Sequence, residues 1–111
     1  LKRTGSKREN IIAAGPFSFD FECFIYRKNG ISVELSHTEQ KLLKILVENR
    51  GHAVSRAVIV DRIWTDGAEY VDENALTVAV KRLRAKLEDD PSKPEYLKTV
   101  YGIGYMWAVN L

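Results

Sequence analysis

Along this chain, an alternating pattern of apolar and polar positions gives way to helical spacing. Phe17-Ser18-Phe19 alternates, and Phe24-Ile25-Tyr26 is aromatic and β-branched, so Ile11 to Leu35 reads as strands. Asn29-Gly30 lies between that run and Ile31-Ser32-Val33, a strong hairpin signal. The pattern predicts a small antiparallel sheet at the start of the domain. The period changes at Ser36-His37-Thr38-Glu39, a capping box in which Ser36 accepts from the Glu39 amide and Glu39 reaches back. Leu42, Leu43, Ile45, Leu46 and Val47 follow at helical spacing, and Asn49-Arg50-Gly51 stops the helix. Ala53-Val54 is a short extended connection. Ser55 then caps a second, shorter helix running to Trp64, with Val60, Ile63 and Trp64 as its inward stripe. Thr65 to Val71 reads as a polar loop around Gly67.

The third helix has the clearest pattern. Asp72, Glu73 and Asn74 supply acidic and capping character where the helix dipole favours it. Leu76, Val80, Leu83 and Leu87 form one buried stripe, and Asp89-Asp90-Pro91 ends the helix. Tyr96 to Val100 reads as a strand, Gly102-Ile103-Gly104 as a turn, and Tyr105 to Val109 as the returning strand. The order sheet, three helices, hairpin makes an α+β domain.

With Leu76 facing inward, and at about 100° per residue, the third helix points Asn74, Val78, Lys81 and Ala85 outward. Arg82 lies on one flank, and Thr77 and Arg84 on the other. An ordinary solvated face mixes acids and bases. This segment carries Lys81, Arg82, Arg84 and Lys86, with no acid between Asn74 and Glu88. It also exposes a valine and an alanine. Such a face suits a DNA major groove, where Lys and Arg donate to guanine edges and a small apolar side chain meets a thymine methyl. The other reading of the same pattern is a protein–protein interaction module, whose docking face would show more aromatics and fewer unbalanced bases. The hairpin favours DNA, because its glycine turn lets backbone pass close to a phosphate or a groove. Val100, Tyr105 and Trp107 also serve to close the core.

Composition narrows the remaining classes. A chain of 111 residues with 45% apolar and 29% charged positions builds one core and one domain. The net charge of +2 says little about partners, so the placement of the bases carries the argument. No run of about eighteen apolar residues is present to span a membrane. Residues 1–10 are basic and polar, without a signal-peptide core, and read as a linker or a frayed end ahead of a domain at 11–111. The chain reads as a piece of a longer protein. A single cysteine, Cys23, fits a reducing compartment such as the cytoplasm, and its aromatic-rich surroundings predict a packed core thiol. His37 and His52 lack metal-ligand spacing with Cys23 or each other, and Asp89-Asp90 is a charged helix exit. With no nucleophile motif, no phosphate loop and no catalytic pair, no enzyme activity, cofactor or metal is expected.

Several separated motifs, in the right order, carry a resemblance. They are Leu35-Ser36-His37-Thr38-Glu39, Val54-Ser55-Arg56, Trp64, Lys81-Arg82-Leu83-Arg84-Ala85-Lys86-Leu87 and Thr99-Val100-Tyr101-Gly102-Ile103-Gly104-Tyr105. Over roughly residues 15 to 109 the chain resembles the effector domain of the OmpR/PhoB family of bacterial two-component response regulators. The resemblance implies a winged helix-turn-helix: a four-stranded sheet, three helices and a C-terminal hairpin, the wing. It implies that the third helix enters the major groove, that the wing approaches the adjacent minor groove, and that two domains bind tandem direct half-sites as a head-to-tail dimer. It also implies a receiver domain, absent from this sequence, that is phosphorylated through a sensor kinase, with residues 1–10 as the linker remnant. By the same resemblance Asn74, Val78 and Arg82 contact bases, while Arg56, Trp64, Lys81, Arg84 and Thr99 contact the DNA backbone. Tyr101 and Gly102 form the wing tip, and the Thr65–Val71 loop meets RNA polymerase. The sequence departs from the family at Asn74 and Tyr101, where arginine is common, and at Ala79, where a larger polar residue is common.

Overall fold

The computed structural model describes residues 11–64 and 73–108, the side chains of Ala14, Trp64 and Glu73 excepted. Four strands open it: β1 (Ile11–Ala14), β2 (Phe17–Asp20), β3 (Ile25–Lys28) and β4 (Ile31–Ser32). They form one antiparallel sheet in the order β1-β2-β3-β4. The alternation at residues 17–19 has the expected result, with Phe17 and Phe19 buried and Ser18 exposed. Phe19 pairs across the sheet with Tyr26. Lys28 pairs with Ile31 around a two-residue turn of Asn29 and Gly30, as the sequence predicts.

The structure corrects one part of this segment. Residues 21–24 form a turn. The Asp20 carboxylate accepts the amides of Glu22 and Cys23, both at 3.0 Å, and this side-chain mimic of a backbone turn swings the chain outward. Phe24 then adopts φ 59° and stands exposed. Cys23 is exposed as well, so it is not the packed core thiol that its aromatic neighbours suggest.

Helix α1 (His37–Glu48) starts on the capping box. Ser36 Oγ accepts the Glu39 amide at 3.2 Å, and the Ser36 amide donates to Glu39 Oε1 at 3.0 Å. Leu42, Leu43, Ile45, Leu46 and Val47 are all buried. The side chain of Asn49 donates to the Ile45 carbonyl at 2.8 Å and closes the end. Strand β5 (Val54–Ser55) leads into helix α2 (Arg56–Trp64), whose Val58 amide donates to Ser55 Oγ at 3.1 Å. The buried line of α2 is Ile59 and Ile63, with Val60 only half-buried. Ile63 is inward as the sequence suggests, while Ile59 takes the inward place expected of Val60, with α2 packed against both α1 and the helix that follows it. The Trp64 side chain and the Thr65–Val71 loop lie outside the described residues, as do residues 1–10.

Helix α3 (Glu73–Leu87) buries Leu76, Val80, Leu83 and Leu87 as predicted, and Ala79 with them. Strands β6 (Leu97–Val100) and β7 (Gly104–Trp107) form the C-terminal hairpin. With β5 they make a second sheet in the order β5-β7-β6. Trp107 joins the two sheets: its ring lies 5.4 Å from Phe17 and 5.9 Å from Phe19 by centroids, both edge-on. Fully burying a large apolar side chain contributes about 1.5–3 kcal/mol. The aromatic cluster therefore fixes the hairpin to the rest of the domain.

Candidate nucleic-acid interface

The sequence predicts a basic outward face on α3, and the structure divides its residues into three groups. Asn74, Thr77, Val78, Lys81, Arg82 and Ala85 are exposed. Val78 is 40% exposed although it is apolar. Among the described residues, Lys81 and Arg82 have no hydrogen-bond or ion-pair partner. The buried stripe of Leu76, Val80 and Leu83 forces these groups outward, because the helical period leaves them no inward position.

Lys86 falls in a second group. Its ammonium meets the Glu39 carboxylate at 2.5 Å, and Glu39 is buried. The acid comes from the capping box of α1, so a count of acids along α3 does not anticipate it. Lys86 therefore ties α1 to α3 and does not add to the basic face.

Arg84 forms the third group, together with Arg56 at the start of α2. Arg84 Nε donates to the Leu97 carbonyl at 3.0 Å, and its Nη2 donates to Thr99 Oγ1 at 2.8 Å. Arg56 donates to Tyr105 Oη at 2.6 Å and to Thr77 Oγ1 at 2.8 Å. Both guanidinium carbons approach the Tyr105 ring, at 5.4 and 5.8 Å from its centroid, a range in which ring and cation attract. Thr99 and Tyr105 are paired across the hairpin. These contacts hold the wing root against α3 and α2. Sequence reasoning credits Tyr105 with core closure alone and places Thr77 on a flank without a role. The signal for both is the pair of arginines on adjacent helices, which need hydroxyl partners within reach.

Two more features fix the wing. Glu88, just past α3, is buried. Its carboxylate accepts the amides of Glu95 at 2.7 Å, Tyr96 at 3.1 Å and Leu97 at 2.8 Å. A buried carboxylate bonded to several amides returns the 89–94 segment directly to β6. Gly104 lies against β5, where a Cβ would overlap the Val54 carbonyl oxygen, and only glycine permits the β5–β7 pairing. At the tip Tyr101 is 91% exposed, Ile103 is 52% exposed, and Gly102 has φ +82°. The tip is tied back by Arg56 N donating to the Ile103 carbonyl at 3.3 Å and by Ile103 N donating to the Val100 carbonyl at 3.0 Å.

Among the described residues no His, Cys, Asp or Glu side chains gather in threes as a metal ligand set. No described helix is long and apolar enough to cross a membrane. His37 and His52 are both exposed.

The family model described as "Transcriptional regulatory protein, C terminal" matches residues 30–107. The chain belongs to this family. Among curated proteins it is similar to the sensory transduction protein RegX3 of Mycolicibacterium smegmatis, at 42% identity over 98 residues, covering 87% of this chain and 42% of that protein. The chain therefore spans less than half the length of this relative. Among solved structures, the response regulator DrrB, an OmpR/PhoB homologue from Thermotoga maritima, superposes with a TM-score of 0.82 at 29% identity, over 96% of this chain and 49% of that one. The DNA-binding domain of RstA from Klebsiella pneumoniae, solved in complex with the RstA box, superposes with a TM-score of 0.76 at 29% identity, over 88% of this chain and 96% of that one. The sheet, three helices and hairpin are those of the OmpR/PhoB winged helix, as the resemblance in sequence implies.

Proposed function

We propose that this domain binds double-stranded DNA sequence-specifically as the effector part of a two-component transcriptional regulator, and that it carries out no reaction of its own. One observation carries the reading. The exposed face of α3 presents Asn74, Val78, Lys81 and Arg82 together, beside a wing whose root is fixed to that helix through Arg56, Arg84, Thr99 and Tyr105.

In this reading α3 lies in the major groove, which admits a helix. Arg82 donates to a guanine edge, Val78 meets a thymine methyl, and Asn74 contacts a base near the start of the helix. Lys81 neutralises a phosphate. Arg84 spends two donors on the wing and offers the rest to a phosphate, and Thr99 donates its hydroxyl hydrogen alongside. Arg56 and Trp64 contact the backbone at either end of α2. Phosphate contacts supply most of the affinity and a steep salt dependence, and the base edges supply the choice of sequence. Two domains sit head to tail on tandem direct half-sites. In the whole protein, a receiver domain phosphorylated by a sensor kinase in the cytoplasm governs that pairing, and the Thr65–Val71 loop meets RNA polymerase.

Selection from a random duplex library at about 150 mM salt tests the reading, since at that salt non-specific binding is weak. The expected result is a recovered motif, repeated at about one helical turn. Recovery of nothing above background, with no salt-sensitive binding to the pool, overturns the reading in favour of a protein-docking module.

A further inference from the structure

A groove between the turn at residues 21–24 and helices α1 and α2 takes no part in the contacts described so far. It is an open concavity of ≈ 330 Å³ whose apolar lining is Phe21, Phe24, Tyr26 and Ile45. Its floor is fixed by the core. Phe21 lies edge-on to Tyr26 at 5.5 Å between centroids and 6.1 Å from Phe19, and Tyr26 Oη donates to Gln40 Oε1 at 3.2 Å. Phe24 is held differently. It stands 69% exposed at φ 59°, a conformation that is an outlier for a bulky residue. Turns that need a positive φ ordinarily place glycine or asparagine there. The fold thus carries both a strained backbone and an exposed ring at Phe24, and neither stabilises it. Strain of this kind collects at sites that bind something.

The charges indicate what the groove accepts. Among the described residues that line it, Lys41, Lys44 and Arg62 stand against a single acid, Glu48, and Lys44 and Arg62 are exposed. We propose that this groove docks an acidic segment of a partner protein, with one apolar side chain seated on Phe21 and Tyr26 beneath the Phe24 ring and flanking carboxylates on Lys44 and Arg62. The concavity is small for a cleft that encloses a free ligand, and it suits a single anchoring side chain of a segment that passes over it. Residues 1–10 of this chain do not fit, because Lys2, Arg3, Lys7 and Arg8 make them basic. At about 100° per residue, His37, Lys41, Lys44 and Glu48 fall on the face of α1 opposite Glu39, whose carboxylate holds Lys86 of α3. A segment in the groove and a duplex on α3 therefore have separate places, and the inference stands or falls independently of the DNA-binding reading.

The test is selection of peptides from a random displayed library against the whole chain, followed by titration of the recovered peptide in dye-labelled form. The expected peptides carry several aspartates or glutamates around an aromatic or aliphatic anchor, and they bind more weakly as salt rises. Phe24→Ala should weaken binding roughly tenfold, the scale of an anchoring contact, and so should serine in place of the anchor in the peptide. Lys44→Glu combined with Arg62→Glu should weaken binding by a similar factor at low salt, and the difference should narrow at high salt. Both variants should unfold at the wild-type midpoint, because the altered side chains are exposed. If Phe24→Ala unfolds earlier, the charge-reversed variant decides the matter. Recovery of no peptide, or of basic peptides, overturns the proposal, as does an acidic peptide that binds the charge-reversed variant as tightly as wild type. Displacement of the peptide by duplex DNA overturns it too, because the peptide then sits on α3. Self-association of the chain in sedimentation that Phe24→Ala abolishes assigns the groove to a second copy and overturns it. Binding of a single-stranded oligonucleotide in the groove, lost on charge reversal, assigns it to nucleic acid and does the same.

Discussion

The fold treats the cations at the wing root and those at the centre of α3 differently. Arg56 and Arg84 are bonded to the hairpin and to Thr77, and both lie against the Tyr105 ring. Lys81 and Arg82 are exposed, with no partner among the described residues. A guanidinium held in this way has lost its side-chain freedom during folding, and it positions the wing whether or not a ligand is present. Free-standing side chains add nothing to stability and lose about 1–2 kcal/mol of rotamer entropy each when a ligand orders them. The contrast separates two tasks. The root residues set the angle between helix and wing, and the central residues remain free to discriminate among ligands.

Substitutions at the two places should therefore fail in different ways. The largest effect is expected for Gly104→Ala, where the new Cβ overlaps the Val54 carbonyl and forces β5 from β7. Denaturant unfolding should show a loss on the order of 3 kcal/mol, with binding to every duplex weakened, and an unchanged midpoint would mean that this pairing does not anchor the wing. Arg84→Met keeps the aliphatic stem and removes the bonds to Leu97 and Thr99. A stability loss of about 2 kcal/mol, with cognate and random DNA weakened together, would place Arg84 in the scaffold, and a loss confined to the cognate site would move it to the reading group. Arg82→Ala should leave unfolding within about 0.5 kcal/mol of wild type. It should weaken the selected site by about 1–3 kcal/mol while sparing random duplex. Equal weakening of both would remove Arg82 from base readout. The smallest change is expected for Lys81→Ala, a uniform loss that flattens the salt slope by about one unit. A loss seen only at the cognate site would reverse the assignments of Lys81 and Arg82.

Much of this arrangement is legible in the amino-acid sequence. The capping box at Ser36 and Glu39, the Asn29-Gly30 hairpin and the stripe from Leu76 to Leu87 depend on contacts between residues a few positions apart, and each forms as predicted. The outward set of Asn74, Val78, Lys81 and Ala85, with Arg82 on its flank, follows from the same helical period. Sequence patterns mislead where a side chain bonds to something local but non-periodic, or distant along the chain. Asp20 captures two amides and turns Cys23 outward. Glu39, nearly fifty positions upstream, neutralises Lys86. Glu88 gathers three amides across a loop.

The sequence by itself determined the order of elements, their caps and the faces they turn inward, because periodicity and capping act over one or two helical turns or a strand pair. Only the tertiary structure decided which cations are available to a ligand. Arg84 and Lys86 are two residues apart on one helix and similar on paper, yet one bonds to the wing and the other to a buried carboxylate, while Lys81 and Arg82 bond to neither. The partners lie on other elements, and packing around Trp107, Phe17 and Leu83 brings those elements together. A charge count along the chain does not contain that information.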